Sequence, residues 1–444
     1  MASGGIEADL PSGPRLSAAD TAFRWLADPF GLLDECAAEL GDRFTLDFTR
    51  FGRHVVVSHP EDVRAAFAGD PDALRAGRGN ALLEPILGPQ SLLLADGDRH
   101  AEQRALLLSA FRPERISTYA RLVVAATRRQ TAAWDDGVAV SVQRAALAIS
   151  REVILRVLLG VDERGADALA DLVEKLMALV GTNAPFDDDP RTGRVTARLF
   201  AARRALIEAL HEVVTQRRRA GGGGDDVLAL LIEARSASGR PLDDDAILDQ
   251  LVTLILAGHE TTASSITWTL VALLANGSAH DRLLGELENT GPACGDEGLA
   301  ALPYLQATCL ETLRLFPVVP IVSRELSRPF RLGDRWLPAG VFLTPCAYLA
   351  HRRPESFSEP TAFRPERFLG RRHAPHVYFP FGGGARRCLG MGFALLEMQI
   401  VLGILLRSFR FHPLETRRAR PVRRAVTIVP SGGTRMQVER RSAA

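Results

Sequence analysis

A long apolar stretch with a polar centre is the strongest constraint on how this chain can fold. Residues 251–274 read LVTLILAGHETTASSITWTLVALL, and a helix of this length and composition could cross a membrane. His259 and Glu260 stand at its middle, however, and an ionisable group is costly to bury in lipid. We therefore predict a helix in the core of the protein, and its polar centre needs a separate explanation.

The rest of the chain shows mostly helical patterns. Ala-, Leu- and Arg-rich periodicity extends from about residue 60 to 275, and Gly221–Gly224 interrupts it as a flexible loop. Three stretches are predicted as strands: 43–48 with 54–59 as a hairpin, 330–345, and 425–440 as a hairpin turning at Ser431, Gly432 and Gly433. The sequence predicts a mainly α protein with small β-sheets, in which a flexible leader (1–20) precedes a single large domain (21–444).

Charge balance and cysteine usage argue against several classes of protein. The 444 residues carry 54 Lys and Arg against 53 Asp and Glu, and a net charge of +1 disfavours nucleic-acid binding. The N-terminus lacks the charged start and apolar run of a secretory signal. The five cysteines have no zinc-ligand spacing: Cys36, Cys294, Cys309, Cys346 and Cys388. We expect a cytoplasmic protein with free thiols and no membrane anchor.

One cysteine lies in a glycine-rich loop, PFGGGARRCLGMGFALLEMQI (380–400). A dinucleotide-binding loop needs GxGxxG and an acidic residue about 20 positions later, whereas these glycines are contiguous and no strand with a terminal acid follows. Cys388 could be a nucleophile activated by His373 or His376, or a structural cysteine in a turn. It could also be a thiolate stabilised by a helix N-terminus and by Arg386 and Arg387, which would suit it to ligate haem iron.

The segment FGGGARRCLG (381–390) resembles the haem-binding signature of the cytochromes P-450, Phe-x-x-Gly-x-Arg-x-Cys-x-Gly. Its fixed positions are filled by Phe381, Gly384, Arg386, Cys388 and Gly390. The resemblance implies haem b with Cys388 as the axial iron ligand. It also places Phe381, Gly382 and Gly390 against the cofactor, and we expect Gly382–Gly384 to let the backbone bend under a flat ring.

The polar centre of the long helix, AGHETT (257–262), is similar to the oxygen-binding stretch of the same family. A threonine hydroxyl can bond the carbonyl four residues earlier, which for Thr261 is that of Ala257. Gly258 is expected to leave a groove on the same face, so that Ala257 and Gly258 border the cofactor. The resemblance implies that Glu260 and Thr261 deliver protons to oxygen.

Two further motifs supply charged residues. In GDRHAEQR (97–104), His100 and Arg104 share a helix face and resemble the family's clamp on the haem propionates, together with Arg386 and Arg324. ETLR (311–314) and FRPERF (363–368) resemble its structural ion network. The members of that network are Glu311, Arg314 and Arg367.

The resemblance therefore implies a haem-thiolate monooxygenase that uses O2 to hydroxylate a lipophilic small molecule, such as a fatty acid, terpenoid, steroid or polyketide. The predicted pocket walls are apolar residues: Leu254, Ala257, Val318, Val319, Ile321, Val322 and Val429. Two alternatives are a peroxygenase and a haem-binding sensor. The family's peroxide-using members carry Arg-Pro where this chain has Glu260-Thr261, and a sensor would not need that pair.

No flavin or reductase region follows the last predicted hairpin, so electrons are expected from a separate ferredoxin and its ferredoxin reductase. A docking patch for an acidic ferredoxin is predicted near Cys388. Its members are Arg364, Arg371, Arg372 and Arg387, with His373 close by.

Overall fold

The structure, a computed structural model, describes residues 10–48, 51–180, 192–235, 239–291, 294–415, 419–432 and 434–441. It is mainly helical with small sheets, as predicted. The helices are α1 (Ala18–Ala27), α2 (Pro29–Leu40), α3 (Pro60–Ala68), α4 (Ala76–Gly79), α5 (Glu84–Leu87), α6 (Gly97–Leu108), α7 (Pro113–Thr131), α8 (Val142–Leu159), α9 (Glu163–Val180), α10 (Thr192–Arg219), α11 (Val227–Glu233), α12 (Asp244–Leu274), α13 (Gly277–Asn289), α14 (Pro303–Leu315), α15 (Ala347–Ala350) and α16 (Met391–Ser408). The strands are β1 (Arg43–Phe48), β2 (Gly52–Val57), β3 (Leu74–Arg75), β4 (Ala139–Ser141), β5 (Arg324–Leu326), β6 (Phe330–Leu332), β7 (Arg335–Leu337), β8 (Phe342–Pro345), β9 (Phe409–Pro413), β10 (Arg420–Arg424), β11 (Thr427–Ser431) and β12 (Arg435–Arg440).

The predicted core helix is α12, and it passes through the middle of the helical layer. The side chain of Asp243 caps it by accepting a hydrogen bond from the Ala246 N–H at 2.7 Å, which satisfies one of the free donors of the first turn. Helices α8, α10, α14 and α16 pack around it. A Cβ added at Gly258 would lie 2.9 Å from Ile154 Cδ1, so this glycine lets α8 approach. The groove expected at Gly258 is therefore filled by a neighbouring helix.

The main sheet has the order β1-β2-β8-β5-β3. The predicted hairpin is confirmed, because β1 and β2 pair antiparallel with Arg43 opposite Val57. Strand β2 then pairs in parallel with β8, from the second predicted β-rich region, and β6 pairs with β7. Helix α3 packs on β8 and also contacts the short 3-10 turn Gly384–Arg386, so the sheet positions the loop that carries Cys388.

The hairpin predicted for 425–440 is wrong. Strand β11 pairs with β10, which precedes it, through a turn at Ala425 and Val426, whereas β12 pairs with β4 and β9. The predicted turn residue Gly433 lies outside the described residues. Local β-propensity locates strands but does not select their partners, and here the partners come from elsewhere in the chain.

Two expectations about the chain as a whole can be compared with the described residues. Residues 1–9 of the predicted leader lie outside them, whereas the main-chain oxygens of Pro11 and Ser12 accept hydrogen bonds from Thr45 of β1 at 2.6 and 3.0 Å. Among the described helices, Met391–Ser408 is the one long and apolar enough to span a membrane, and most of it is buried within the fold.

Candidate functional site

The loop before α16 presents Cys388 at the start of that helix. The Cys388 N–H donates to the Phe381 carbonyl at 2.9 Å, which closes the loop, and helix α16 begins three residues later at Met391. The residue is exposed, but surrounding protein atoms desolvate the sulfur and raise the pKa of its thiol. The Gly390 N–H and the cations of Arg104 and Arg387 act in the opposite direction and favour the thiolate.

The three glycines of the loop serve two different purposes. Gly382 has a φ of 66°, and a Cβ there would come no nearer than 4.0 Å to any neighbour. Gly383 and Gly384 instead press against Phe67 of α3, where a Cβ would overlap its ring or its carbonyl oxygen. Only Gly382 therefore matches the predicted role of leaving room for a flat ring, and the other two are required by a protein neighbour.

Three arginines and a histidine lie around this loop. Arg324 is 5% exposed, and its Nη2 donates to the Gly383 carbonyl at 3.2 Å while Nη1 has no hydrogen-bond partner among the described residues. Burial lowers the pKa of Arg324 to about 10, with a smaller contribution from Arg386. On α6, burial and the nearby Arg386 and Arg104 lower the pKa of His100 to about 4. Within the described residues, Arg104 makes no ion pair.

Arg386 is held differently from the other cations. Its Nη2 donates to the Ala95 carbonyl at 2.5 Å and forms an ion pair with the carboxylate of Asp96. Asp96 also accepts hydrogen bonds from the N–H groups of Gly77 at 2.8 Å and Arg78 at 3.2 Å. Sequence reasoning assigned Arg386 to a propionate and missed Asp96, which the motif GDRHAEQR does not include.

A partly exposed stripe follows one face of α12. It consists of Leu254, Ala257, Gly258 and Thr261, at helical spacing on a helix whose neighbouring positions are buried. The Thr261 hydroxyl donates to the Ala257 carbonyl at 2.7 Å, which confirms the predicted back-bond. The Thr262 hydroxyl donates to the Gly258 carbonyl and the Ser265 hydroxyl to the Thr261 carbonyl, so the polar side chains of this apolar helix are satisfied by its own main chain.

Glu260 does not share this stripe. It is buried, and its Oε1 lies 3.1 Å from Nε of Arg424, at the end of β10. The two atoms are at ion-pair distance, but no hydrogen bond reaches Oε1 from the described residues. Burial raises the pKa of Glu260, and Arg424 partly opposes the rise. Arg424 is a second residue that sequence reasoning missed, because nothing in a local pattern links β10 to α12.

The predicted ion network has the geometry of a scaffold. Glu311 and Arg314 form two hydrogen bonds of 2.7 and 2.8 Å with both side chains fully buried, and Arg367 Nε lies 3.3 Å from the same carboxylate. Arg314 also donates to the carbonyl of His351 at 2.8 Å. The His351 ring in turn accepts a hydrogen bond from the N–H of Phe379 at 2.9 Å, so the network reaches the segment that leads into the Cys388 loop.

Comparison with known proteins agrees with this arrangement. The cytochrome P-450 family model matches residues 21–436. Cytochrome P-450 135B1 of Mycobacterium tuberculosis is 34% identical over 98% of this chain and 93% of its own, and cytochrome P-450 135A1 of the same organism is 31% identical over 97% and 95%. Cyanobacterial CYP120A1 with retinoic acid bound has a TM-score of 0.86 at 23% identity, covering 98% of this chain and 100% of that one.

This chain belongs to the cytochrome P-450 family. The family match and the curated relatives make it a haem-thiolate monooxygenase, which requires O2, a redox partner and a lipophilic substrate. The nucleophilic-cysteine and dinucleotide-loop interpretations of the sequence are thereby set aside. The solved structures, at under 25% identity, support the fold alone.

The residues present fit a haem group. An exposed thiol lies at a helix N-terminus, and Gly382 leaves space beside it. Arg324 has an unused buried donor, and Arg104 has no carboxylate partner among the described residues, so both can receive the two carboxylates of a propionate-bearing ring. Arg386 fits less directly, because it already forms an ion pair with Asp96.

The predicted pocket walls of the P-450 are only partly exposed. Val319, Ile321 and Val322 are half-buried, and Val322 lies 4.0 Å from the Cβ position of Gly382. Val318 and Val429 are buried within the fold, where the Val318 carbonyl accepts the N–H of Ile428 at 2.8 Å. The exposed apolar side chains of the β10–β11 hairpin are those of Val422 and Val426, whereas Val429 is buried.

The predicted basic patch of the P-450 is smaller than the sequence suggested. Arg371, Arg372 and Arg387 are exposed. Arg364 forms an ion pair with Glu359. The fifth member, His373, packs among aromatic rings, with centroid distances of 4.9 Å to Phe357 and 5.1 Å to Phe368, and is therefore not part of the charged surface.

Proposed function

We propose that this P-450 hydroxylates a lipophilic small molecule, with the Cys388 thiolate as the axial ligand of haem b. The observation that carries the proposal is an exposed cysteine just before α16, in a loop bonded by the buried Arg324, one of whose donors has no partner among the described residues. Phe381, Gly382 and Gly390 would border the ring on the thiolate side. His100, Arg104 and Arg324 would hold the propionates, and Arg386 would join them if it leaves Asp96.

Haem supplies one-electron and O2 chemistry that no side chain of the protein provides. In the overall reaction one oxygen atom enters a C–H bond, the other leaves as water, and two electrons and two protons are consumed. The protein must deliver those protons. The Thr261 hydroxyl, on the exposed stripe of α12, is the group we assign to this delivery, with Glu260 beside it as the acid.

The proposed substrate is a fatty acid, terpenoid, steroid or polyketide. The stripe residues Leu254 and Ala257, together with the half-buried Val319, Ile321 and Val322, present apolar surface, which favours a lipophilic molecule.

The proposed electron donor is a cytoplasmic ferredoxin, which receives its electrons from a ferredoxin reductase. The exposed cations Arg371, Arg372 and Arg387 lie close in sequence to the thiolate loop and would attract an acidic protein. The net charge of +1 provides no long-range attraction, so any steering depends on this local group.

The axial ligand is tested by the absorption spectrum of the reduced, CO-bound protein. Thiolate ligation gives a red-shifted band, and Cys388→Ser is expected to abolish it. Cys294→Ser, at another cysteine with partial exposure, is the control and should keep the band. A band that survives in Cys388→Ser contradicts the proposal. Turnover by ferredoxin, its reductase and NAD(P)H, compared with hydrogen peroxide alone, separates the monooxygenase from a peroxygenase.

A further inference from the structure

One buried acid in this P-450 has no arginine partner. Seven acidic side chains are buried among the described residues, and six of them form an ion pair with an arginine. These six are Asp62, Glu152, Asp226, Asp249, Glu260 and Glu311. The seventh, Glu397 of α16, is 1% exposed and accepts a hydrogen bond from the hydroxyl of Ser150 on α8, which is also buried. A carboxyl group in this setting is costly to ionise.

No neighbouring charge among the described residues acts on Glu397. Helices α7, α12, α13 and α14, strand β9 and the 3-10 turn Glu297–Ala301 pack against α16, and α8 reaches it through Ser150. The described charged or imidazole side chains buried on these elements have partners of their own: Glu152 on α8, Asp249, His259 and Glu260 on α12, and Glu311 and Arg314 on α14.

Burial alone therefore decides how easily Glu397 is ionised. Tyr119 on α7 and Tyr304 and Cys309 on α14 are neutral, because burial raises the pKa of each. Burial likewise raises the pKa of Glu397 to about 7, and the bond from the Ser150 hydroxyl acts in the opposite direction. A group with this pKa can gain or lose a proton near neutral pH when a nearby charge changes.

The position of Glu397 on α16 connects it to the thiolate loop. The helix begins at Met391, three residues after Cys388, and Glu397 lies six residues further, about 9 Å along the axis. Its carboxylate is therefore on the order of 13 Å from the sulfur. At an effective dielectric constant of about 20, two charges at that distance change each other's equilibria about tenfold. An electron added beside the thiolate and a proton added at Glu397 should thus favour each other.

We propose that Glu397 takes up a proton from solvent when the haem iron held by Cys388 accepts its first electron. The redox partner supplies the electron, the iron is reduced, and the proton forms an O–H bond on the carboxylate. The buried region then gains no net charge. Reduction is easiest when the carboxyl is already neutral, and the Ser150 hydroxyl helps to set the pH at which it is. This inference rests on the ligation of haem by Cys388 that we propose as part of the function.

The test is the reduction potential of the haem-loaded, substrate-free enzyme, measured by spectroelectrochemistry on both sides of the pKa of Glu397. In the unmodified enzyme the potential should fall as the pH rises through about 7, because the ionised carboxylate opposes the added electron. The equilibrium constant for reduction should be about tenfold smaller at the alkaline limit. In Glu397→Gln the side chain is neutral at every pH and keeps its length, so this fall should disappear.

Two further variants sharpen the measurement. Ser150→Ala removes the bond that favours the carboxylate and should move the fall in potential to higher pH. Glu288→Gln is the matched control, because it removes a carboxylate of α13 whose side chain is 67% exposed and whose charge is screened by solvent. Its potential should follow that of the unmodified enzyme at every pH.

Infrared difference spectroscopy identifies the group that takes up the proton. Reduction at a pH above the pKa of Glu397 should produce a protonated-carboxyl band in the unmodified enzyme. The band should be absent in Glu397→Gln and present in Glu260→Gln. A band that survives in Glu397→Gln, or a potential with the same pH dependence in that variant and in the unmodified enzyme, overturns the proposal.

The CO spectrum of the same preparations shows independently whether the thiolate-ligated haem is in place. A normal CO band with an unchanged pH dependence in Glu397→Gln overturns the role of Glu397 alone. A missing band in the unmodified enzyme instead contradicts the ligation by Cys388. If Glu397→Gln does not fold, Ser150→Ala replaces it, and a fall in potential that stays at the original pH is then the contradicting result.

Discussion

Two acid–arginine pairs in this P-450, each with a buried carboxylate, differ in how completely their charges are compensated. Between Glu311 and Arg314, both carboxylate oxygens accept hydrogen bonds from the guanidinium, whose remaining donors reach three main-chain oxygens. Between Glu260 and Arg424, one pair of atoms lies at 3.1 Å without hydrogen-bond geometry. The first pair is near the loop of the thiolate, and the second is on the helix of the oxygen side.

The difference indicates what each pair can do. A buried carboxylate with all its hydrogen bonds satisfied fixes the elements that surround it. A buried carboxylate with an unsatisfied oxygen has a raised pKa and can change its charge at modest cost. We therefore assign the Glu311 network to structure and Glu260 to proton transfer.

The largest expected effect separates the two pairs by stability. Glu311→Gln removes one partner of a fully buried ion pair, which costs about 3–5 kcal/mol because Arg314 keeps an uncompensated charge. Glu260→Gln removes a poorly satisfied carboxylate, and its cost should be below about 1 kcal/mol. Urea unfolding followed by circular dichroism measures both. Equal losses of unfolding free energy would mean that the two pairs do not differ.

A smaller effect is expected in the use of electrons. Thr261→Ala should leave haem and substrate binding nearly intact but release peroxide, because the hydroxyl proposed to deliver protons is gone. The measurement is product and peroxide formed per NAD(P)H in a reconstituted system. Thr262→Ala is the matched control, since it loses the same kind of back-bond, 2.9 Å to Gly258, from a buried position. Peroxide release that rises equally in both variants would attribute the effect to the helix and not to Thr261.

The smallest effect concerns charges at the surface, where Arg364 is paired with Glu359 but Arg372 is exposed without an ion pair among the described residues. Arg372→Glu should slow the first electron transfer from ferredoxin by up to about tenfold, without changing substrate affinity, because rim charges mainly set association rates. Rising ionic strength should reduce the difference in first-electron rate between Arg372→Glu and the unmodified enzyme. Arg198→Glu, at an exposed position of α10, is the control. A first-electron rate indifferent to both salt and Arg372→Glu rules out this docking patch.

Much of this arrangement could be predicted because it depends on residues close together in sequence. The helix that follows Cys388, the bond from Thr261 to the carbonyl of Ala257 and the contact between Glu311 and Arg314 all lie within one or two helical turns. Local spacing determines such contacts. The same holds for the β1–β2 hairpin, whose two strands are close neighbours in sequence.

The features that sequence reasoning missed are all long-range. Asp96 meets Arg386, Arg424 meets Glu260, and β11 pairs with β10, because tertiary packing brings these segments together. The exposed arginines were predicted, but His373 was misplaced, since a histidine near arginines in sequence can still pack among aromatic rings. Composition identifies charged residues, whereas their partners depend on the fold.

Phe67 has a consequence for how sequences of this kind can diverge. Its ring lies under the Arg324 guanidinium at 4.9 Å and meets Phe379 edge to face at 5.2 Å, and the backbone of Gly383 and Gly384 rests directly on this residue. No side chain can be added at 383 while a phenylalanine occupies 67, whereas a small residue at 67 would make room for one. Among related chains, positions 67 and 383 are therefore expected to covary, with the bulk gained at one matched by bulk lost at the other.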